Sequence, residues 1–420
     1  MPHFSRTLAA AALLGCLAAP ALAVTDIPLS HQLDEARASR LQEVVDRFNA
    51  SQKDYHVVTV RRGDSDAPTV LNLAVSEDIS LFSANRGSFR PIVDVMKEAK
   101  ERMDTSSFLA DYRGPLTEGN KLMALPVAFA TPVLYYNKAA FKKAGLDPEN
   151  PPKTWWEVQN AAGKLVDAGA SCAYTTSWPA WVLIENASAR NGAPAATASG
   201  TFAFNGLAQV KQIALLTTWY KSKYFSYFGR RDEADAKFAA GECGMLTSGS
   251  DIYAAIKSGG KVDVGVAPMP YFDDAYGAPQ RTLAGGGSLW IGSGKKPVEY
   301  KGAAKFISFI TAPDMQIELA KAGGFLPLSD TAWRAARSKL LKDDLVNQEV
   351  AHATLAARTD KSAIPARISF HPQVRLIVEE ELEAVWKELK TPKEALDTAV
   401  ARANAVVHGL PKGKLAMLLK

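Results

Sequence analysis

The stretch Thr131-Pro132-Val133-Leu134-Tyr135-Tyr136-Asn137 reads as an apolar strand, and it runs directly into a short lysine-rich amphipathic helix over 138–146. Asp147-Pro148-Glu149-Asn150-Pro151-Pro152-Lys153-Thr154-Trp155-Trp156 follows as a proline-punctuated turn that opens a second helix. A strand with helices so close on one side belongs in a sheet whose faces helices cover, which places the chain in the α/β class.

The flanking sequence repeats this order of parts. Ile27–His31 reads as a strand and Ala38–Ala50 as a helix with Leu41, Val44, Val45 and Phe48 on one face. Tyr55–Val60 is a second strand, Asp78–Ser83 a third, and Pro91–Ala99 a further helix. This strand, helix, strand spacing predicts a βαβ unit and a largely parallel sheet. Beyond the opening stretch, Trp155–Ala168 is helical, Cys172–Tyr174 a strand and Trp181–Asn191 helical. Gln209–Lys221 presents Ile213, Leu216 and Tyr220 as its apolar face. Lys237–Ser250 reads as a helix end, a Gly turn, a short strand and a Ser/Gly loop. Gly285–Ile291 is a flexible lead-in to a buried strand that returns the chain to its first half. Lys301–Thr311 is helical, Gly323–Pro327 carries the chain out again, and helices at Pro372–Leu389 and Pro392–Val407 finish it.

Bulk properties narrow the function. Arg6, the apolar run Leu8–Ala19 and Ala21-Leu22-Ala23 form a signal peptide over residues 1–23, with the mature chain starting near Val24. Leu13-Leu14-Gly15-Cys16 offers the competing reading of lipidation at Cys16. No segment has the length of a membrane span. The net charge is +5, with 49 basic residues scattered among 44 acidic ones, and no stripe suited to nucleic acid forms. Cys172 and Cys243 remain after the leader. An exported pair is compatible with one disulfide closing a long loop, and two buried thiols are the alternative. The six histidines show no ligand spacing around either cysteine, so neither a metal nor a cofactor is expected.

Several residues are candidates for a binding site. Trp178-Pro179-Ala180-Trp181 sets two indoles on a turn after a strand, suited to the C–H face of a polyol, although tryptophans more often pack cores. Arg375 offers a fork for phosphate or carboxylate, against the plainer reading of an i,i+4 pair with Glu379. Ser248-Gly249-Ser250 and Gly285-Gly286-Gly287 bring small residues and hydroxyls that let backbone N–H groups approach an anion. No nucleophile elbow, His-rich metal set or paired carboxylates argue for a hydrolase.

These residues together resemble the extracytoplasmic solute-binding proteins of ABC importers, family 1, in its branch that takes sn-glycerol 3-phosphate. Thr131–Trp155, Ser177–Asn186, Phe225–Glu233, Gly285–Trp290 and Pro372–Trp386 carry the likeness. It implies a two-lobed, type II-like fold with a multi-strand hinge. Residues 24–131 and 285–326 would form one lobe, and 132–284 and 327–420 the other. It implies ligand contacts from Trp178, Trp181, Ser248, Gly286 and Arg375. In the first lobe Ser65 and Phe325 stand where the family has tyrosines, Ala130 replaces a serine, and a glutamate expected near Ser83 and Ala84 has no counterpart. His31, Arg61, Asp64, Asp66, Asn85 and Arg86 are candidates for the altered wall, at strand ends where open sheets bind ligands. The implied ligand is glycerol 3-phosphate, a glycerophosphodiester or a related phosphorylated polyol, and the implied partners are a permease and an ATPase. A monomeric, periplasmic, non-enzymatic protein with no nucleic-acid partner is expected. A neutral oligosaccharide binder and a secreted hydrolase are the rivals.

Overall fold

The computed structural model describes residues 24–33, 35–63, 67–75, 86–103, 108, 116–118, 121–197, 201–321, 326–339, 342–356 and 372–409. Thr25–His31 (β1) buries Ile27 and Leu29. Glu35–Ser51 (α1) buries Leu41, Val44, Val45 and Phe48 at helical spacing. Tyr55–Arg61 (β2) then runs parallel to β1, with Ile27 opposite Val57. The third strand is Leu71–Val75 (β3), earlier in the chain than Asp78–Ser83, which lies outside the described residues. Its Leu71, Asn72, Leu73 and Ala74 are all buried. Such continuous burial marks a strand covered on both faces.

Phe89–Arg90 (β4), helix Ile92–Ala99 (α2) and Leu125–Ala130 (β5) complete the first pass. One residue later the chain enters the second sheet as Pro132–Asn137 (β6), buried along its whole length. Its side chains alternate. Val133 and Tyr135 join one apolar cluster, and Leu134 and Tyr136 the other. Asn137 caps the helix Lys138–Lys143 (α3) by accepting from the Ala139 and Ala140 N–H groups. Thr154 and Glu157 form a reciprocal capping box on Trp155–Asp167 (α4).

Cys172–Thr176 (β7), Leu207–Lys221 (α5), Phe225–Ser226 (β8), Glu233–Ala239 (α6), Cys243–Gly249 (β9), Tyr253–Gly259 (α7) and Val264–Pro268 (β10) fill this half. The sheet order is β8-β7-β9-β6-β10, with β6 antiparallel to both neighbours and the β7–β9 pair parallel. Cys172 and Cys243 are register partners and form a disulfide, with Cα atoms 4.6 Å apart. On α5 the buried face is Ile213, Leu216 and Trp219, and Tyr220 is exposed, contrary to the periodic reading. Trp219 wins that place because its ring meets Tyr174 and Trp155, and its Nε1–H donates to Gln159.

Gly285–Gly292 (β11) rejoins the first sheet, whose order is β2-β1-β3-β11-β4 with β5 also paired to β11. The glycines expected as a flexible lead-in belong to this strand from its first residue. Pro297–Thr311 (α8) packs on β1 at Gly302, where a Cβ would lie 2.5 Å from the Ile27 Cδ1. Pro313–Lys321 (α9) and Asp330–Arg337 (α10) pack on each other. Lys342–Ala356 (α11) crosses to β10 and β6 of the second sheet. Pro372–Trp386 (α12) and Pro392–Gly409 (α13) pack as a pair, and both touch α5. A small two-stranded sheet pairs Thr117–Glu118 with Lys121–Leu122. The molecule is thus a two-lobed α/β protein with one large sheet in each lobe and crossing segments between them.

Candidate functional site

The β7–β9 ladder ends where the Ser177 N–H donates to the Thr247 carbonyl, and Trp178 then turns the chain with φ of +51°. A bulky side chain in the left-handed region is held there against local preference. The Trp178 N–H donates to the Arg231 carbonyl at 2.7 Å, and the Arg231 guanidinium lies 5.3 Å from the indole centroid. Pro179 leads into a π-helix, Ala180–Asn186, followed by a short α-helical turn at Ala187–Arg190. The expected single helix over Trp181–Asn191 is therefore replaced by a widened turn and a restart. π-turns of this kind cluster at functional sites. Trp181 is 8 % exposed, and a Cβ on Gly285 would stand 2.7 Å from its Cζ2. The second indole thus packs directly onto the backbone of β11, in the other sheet.

Arg375 reaches the same π-helix from the far end of the chain. Its Nε and Nη2 donate to Glu185 Oε1 and Oε2 at 2.6 and 3.0 Å. The expected partner, Glu379, is not the one used. A buried bidentate fork outcompetes an i,i+4 contact worth only a few tenths of a kcal/mol. Glu379 instead accepts the Ala180 N–H at 2.5 Å, and its Oε2 has no hydrogen-bond partner among the described residues. Burial pushes this carboxyl up to about 8. One turn on, Glu383 accepts from Arg230 Nε and Nη2 at 2.9 and 2.8 Å and from the Tyr227 hydroxyl at 3.0 Å. Those donors, Arg230 foremost, pull it down to about 2. Arg375, Glu379 and Glu383 thus seam α12 to the tryptophan turn and to residues 227–231.

Ser248 and Gly249 finish strand β9 and do not form a loop; Ser250 opens a 3-10 turn. The Ser248 hydroxyl is fully buried with no well-formed hydrogen bond among the described residues. It faces Asp235, whose carboxylate accepts from the Ser177 hydroxyl at 2.5 Å. Burial raises Asp235 to about 7, against the pull of the Ser177 and Ser248 hydroxyls. Gly286 lies in β11 opposite Ala128, beside a register shift at Gly285. The crossings meet alongside. Thr131 exchanges hydrogen bonds with Ser250, and its hydroxyl contacts that of Thr282. Asn186 donates to the Trp181 carbonyl and accepts the Leu283 N–H.

Trp178, Trp181 and Arg375 therefore converge on one π-helix, with Ser248 and Gly286 at strand ends beside the crossings. On the first-lobe side, Ser65, Phe325, Asp64, Asp66 and Asn85 lie outside the described residues, and Arg86 begins a 3-10 turn. His31 and Arg61 are register partners at the carboxyl ends of β1 and β2. His31 is buried, and burial together with Arg61 holds its imidazole below the usual value. Glu185, Asp235 and Arg231 were not foreseen, and Glu379 was named only as a partner for Arg375. Their only sequence signal is nearness to Trp178, Trp181, Ser248 or Arg375. Trp155 is core, and Trp156 is partly exposed against Phe272. An apolar cavity lined by Leu29, Leu73, Leu289 and Phe306 belongs to the first sheet's interior and shares no residue with this site.

Two sheets joined by crossing strands, with indoles and a guanidinium gathered beside the crossings, define a two-lobed solute-binding protein. The chain belongs to the family of bacterial extracellular solute-binding proteins, whose model matches residues 43–345. It is 37 % identical to the sn-glycerol-3-phosphate-binding periplasmic protein UgpB of Pectobacterium atrosepticum, over 97 % of this chain and 96 % of that one. The Salmonella typhimurium protein of the same name is also 37 % identical, over 93 % and 94 %. Among solved structures, UgpB of Mycobacterium tuberculosis in complex with glycerophosphocholine superposes with a TM-score of 0.75 at 22 % identity, covering 92 % of this chain and 98 % of that one. The cyclic alpha-maltosyl-1,6-maltose binding protein of Arthrobacter globiformis does so with a TM-score of 0.75 at 22 % identity, covering 92 % and 100 %.

Proposed function

We propose that this protein is the exported solute-binding component of an ABC importer. It captures sn-glycerol 3-phosphate or a related glycerophosphodiester between its lobes and delivers it to permease and ATPase subunits. The observation that carries this reading is the delivery of Arg375, from a helix 190 residues further along, onto the π-helix that also carries Trp181. The names of the curated relatives supply the ligand class. In this reading Trp178 and Trp181 take the polyol. Arg375, Ser248 and the backbone at Gly286 take the phosphate, and Ser65 and Phe325, outside the described residues, are the contacts proposed from the other lobe. Residues 24–131 and 285–326 act as one lobe, and 132–284 and 327–420 as the other, with Asp330–Arg337 at the border against Pro313–Lys321. The leader is removed near Ala23, and the periplasmic chain works as a monomer. It has no cofactor, metal, nucleic-acid partner or catalytic turnover.

Isothermal calorimetry with glycerol 3-phosphate and glycerophosphocholine tests this. Arg375→Ala should abolish binding of either, and no heat from any phosphorylated polyol would sink the ligand assignment. A neutral oligosaccharide is the second reading, favoured by the internal neutralisation of Arg375. Under it, Arg375→Ala changes binding little.

A further inference from the structure

We infer that Glu185 sets how much negative charge the pocket accepts, and so selects a singly charged phosphodiester over a doubly charged monoester. This rests on the proposed function and refines its ligand class. The Glu185 side chain is 2 % exposed, and Arg375 holds both of its oxygens. Opening that pair would strand a buried charge, so it persists as a ligand arrives. An incoming anion then meets a dipole instead of a net cation.

Among the described residues, the neighbouring arginines do not restore the missing charge. Arg230 is engaged with Glu383 in the same bidentate way. Arg231 is exposed and lies over Trp178. Glu379 beside the pair and Asp235 beneath Ser248 are both buried carboxyls that resist ionisation. A phosphate monoester carries about −1.5 to −2 near neutral pH, and a diester carries one charge. The cost of stripping water from an ion grows with the square of its charge, whereas attraction to a dipole grows only linearly. The second charge of the monoester therefore costs more than it gains. Glu185→Gln keeps the shape and one acceptor for Arg375 while leaving the guanidinium a net cation, which favours the monoester most.

The test is calorimetry on the whole mature protein near pH 7.5, with sn-glycerol 3-phosphate and glycerophosphoglycerol, a diester without a cationic head. The wild-type protein should bind the diester about tenfold tighter or better, and Glu185→Gln should narrow that gap by about tenfold through a gain for the monoester. Glu185→Asp, which keeps the charge, should keep the preference. A wild-type protein that binds the monoester equally or more tightly overturns the inference but leaves the ligand reading standing. Parallel changes for both ligands in Glu185→Gln do the same. Binding of neither ligand overturns both. Should Glu185→Gln fail to fold, the wild-type comparison and Glu185→Asp still decide.

Discussion

Trp178 and Gly285 show how the site depends on single residues. The first holds a left-handed backbone that its own side chain disfavours, and the second lacks the one carbon that would strike Trp181. Gly285→Ala should displace the Trp181 ring at an overpacking cost of about 1–3 kcal/mol. Indole fluorescence should shift, and calorimetry should show ligand binding weakened by about tenfold or more. Glu379 makes a prediction in pH. Its folded value, about 8, lies above the ordinary 4.5, so the native chain holds a proton the unfolded chain has released between those limits. The stability that proton supplies is complete below 4.5 and is lost as pH rises through 8. Glu379→Gln carries no such proton. Its melting temperature should fall less than the wild type's between roughly pH 6 and 9, as thermal melts across that range would show.

Among the elements, those legible in advance are the ones whose burial is periodic and local. α1 and β2 follow from Leu41, Val44, Val45 and Phe48 and from the apolar run at Tyr55–Val60. Where two residues fit the same helical face, as Trp219 and Tyr220 do, only the ring partners Tyr174 and Trp155 settle which turns inward. The π-helix had no local signature, since its widened turn answers to Glu379 at Ala180 and to Arg375 at Glu185. The disulfide joins register partners on adjacent strands across a separation of 71 residues. Replacing both cysteines by serine should cost about 2–4 kcal/mol in denaturant unfolding and leave ligand affinity nearly unchanged, because the pair lies at the opposite end of β9 from Ser248.

For the whole molecule, the proposed capture of ligand between the lobes requires that ligand drive one lobe to close on the other. A ligand shifts that balance only through contacts it makes better in the closed form. Saturating ligand should reduce the radius of gyration measured by small-angle scattering. At a hundredfold excess over the dissociation constant it should stabilise the native chain by about 2.7 kcal/mol, read as a rise in melting temperature. With Arg375→Ala, both effects should vanish at the same concentration.

The sequence by itself determined the α/β class and the return of the chain at Gly285. Those properties are carried by periodicity and by neighbours along the chain. It left open whether Cys172 meets Cys243, and it named the wrong partner for Arg375. Only the tertiary structure decided that Glu185 neutralises the guanidinium, that Trp181 rests on Gly285 and that Ser248 lies in a strand above Asp235. Each of those contacts joins segments far apart in sequence. Their energy comes from burial and geometry that exist only once both sheets are in place.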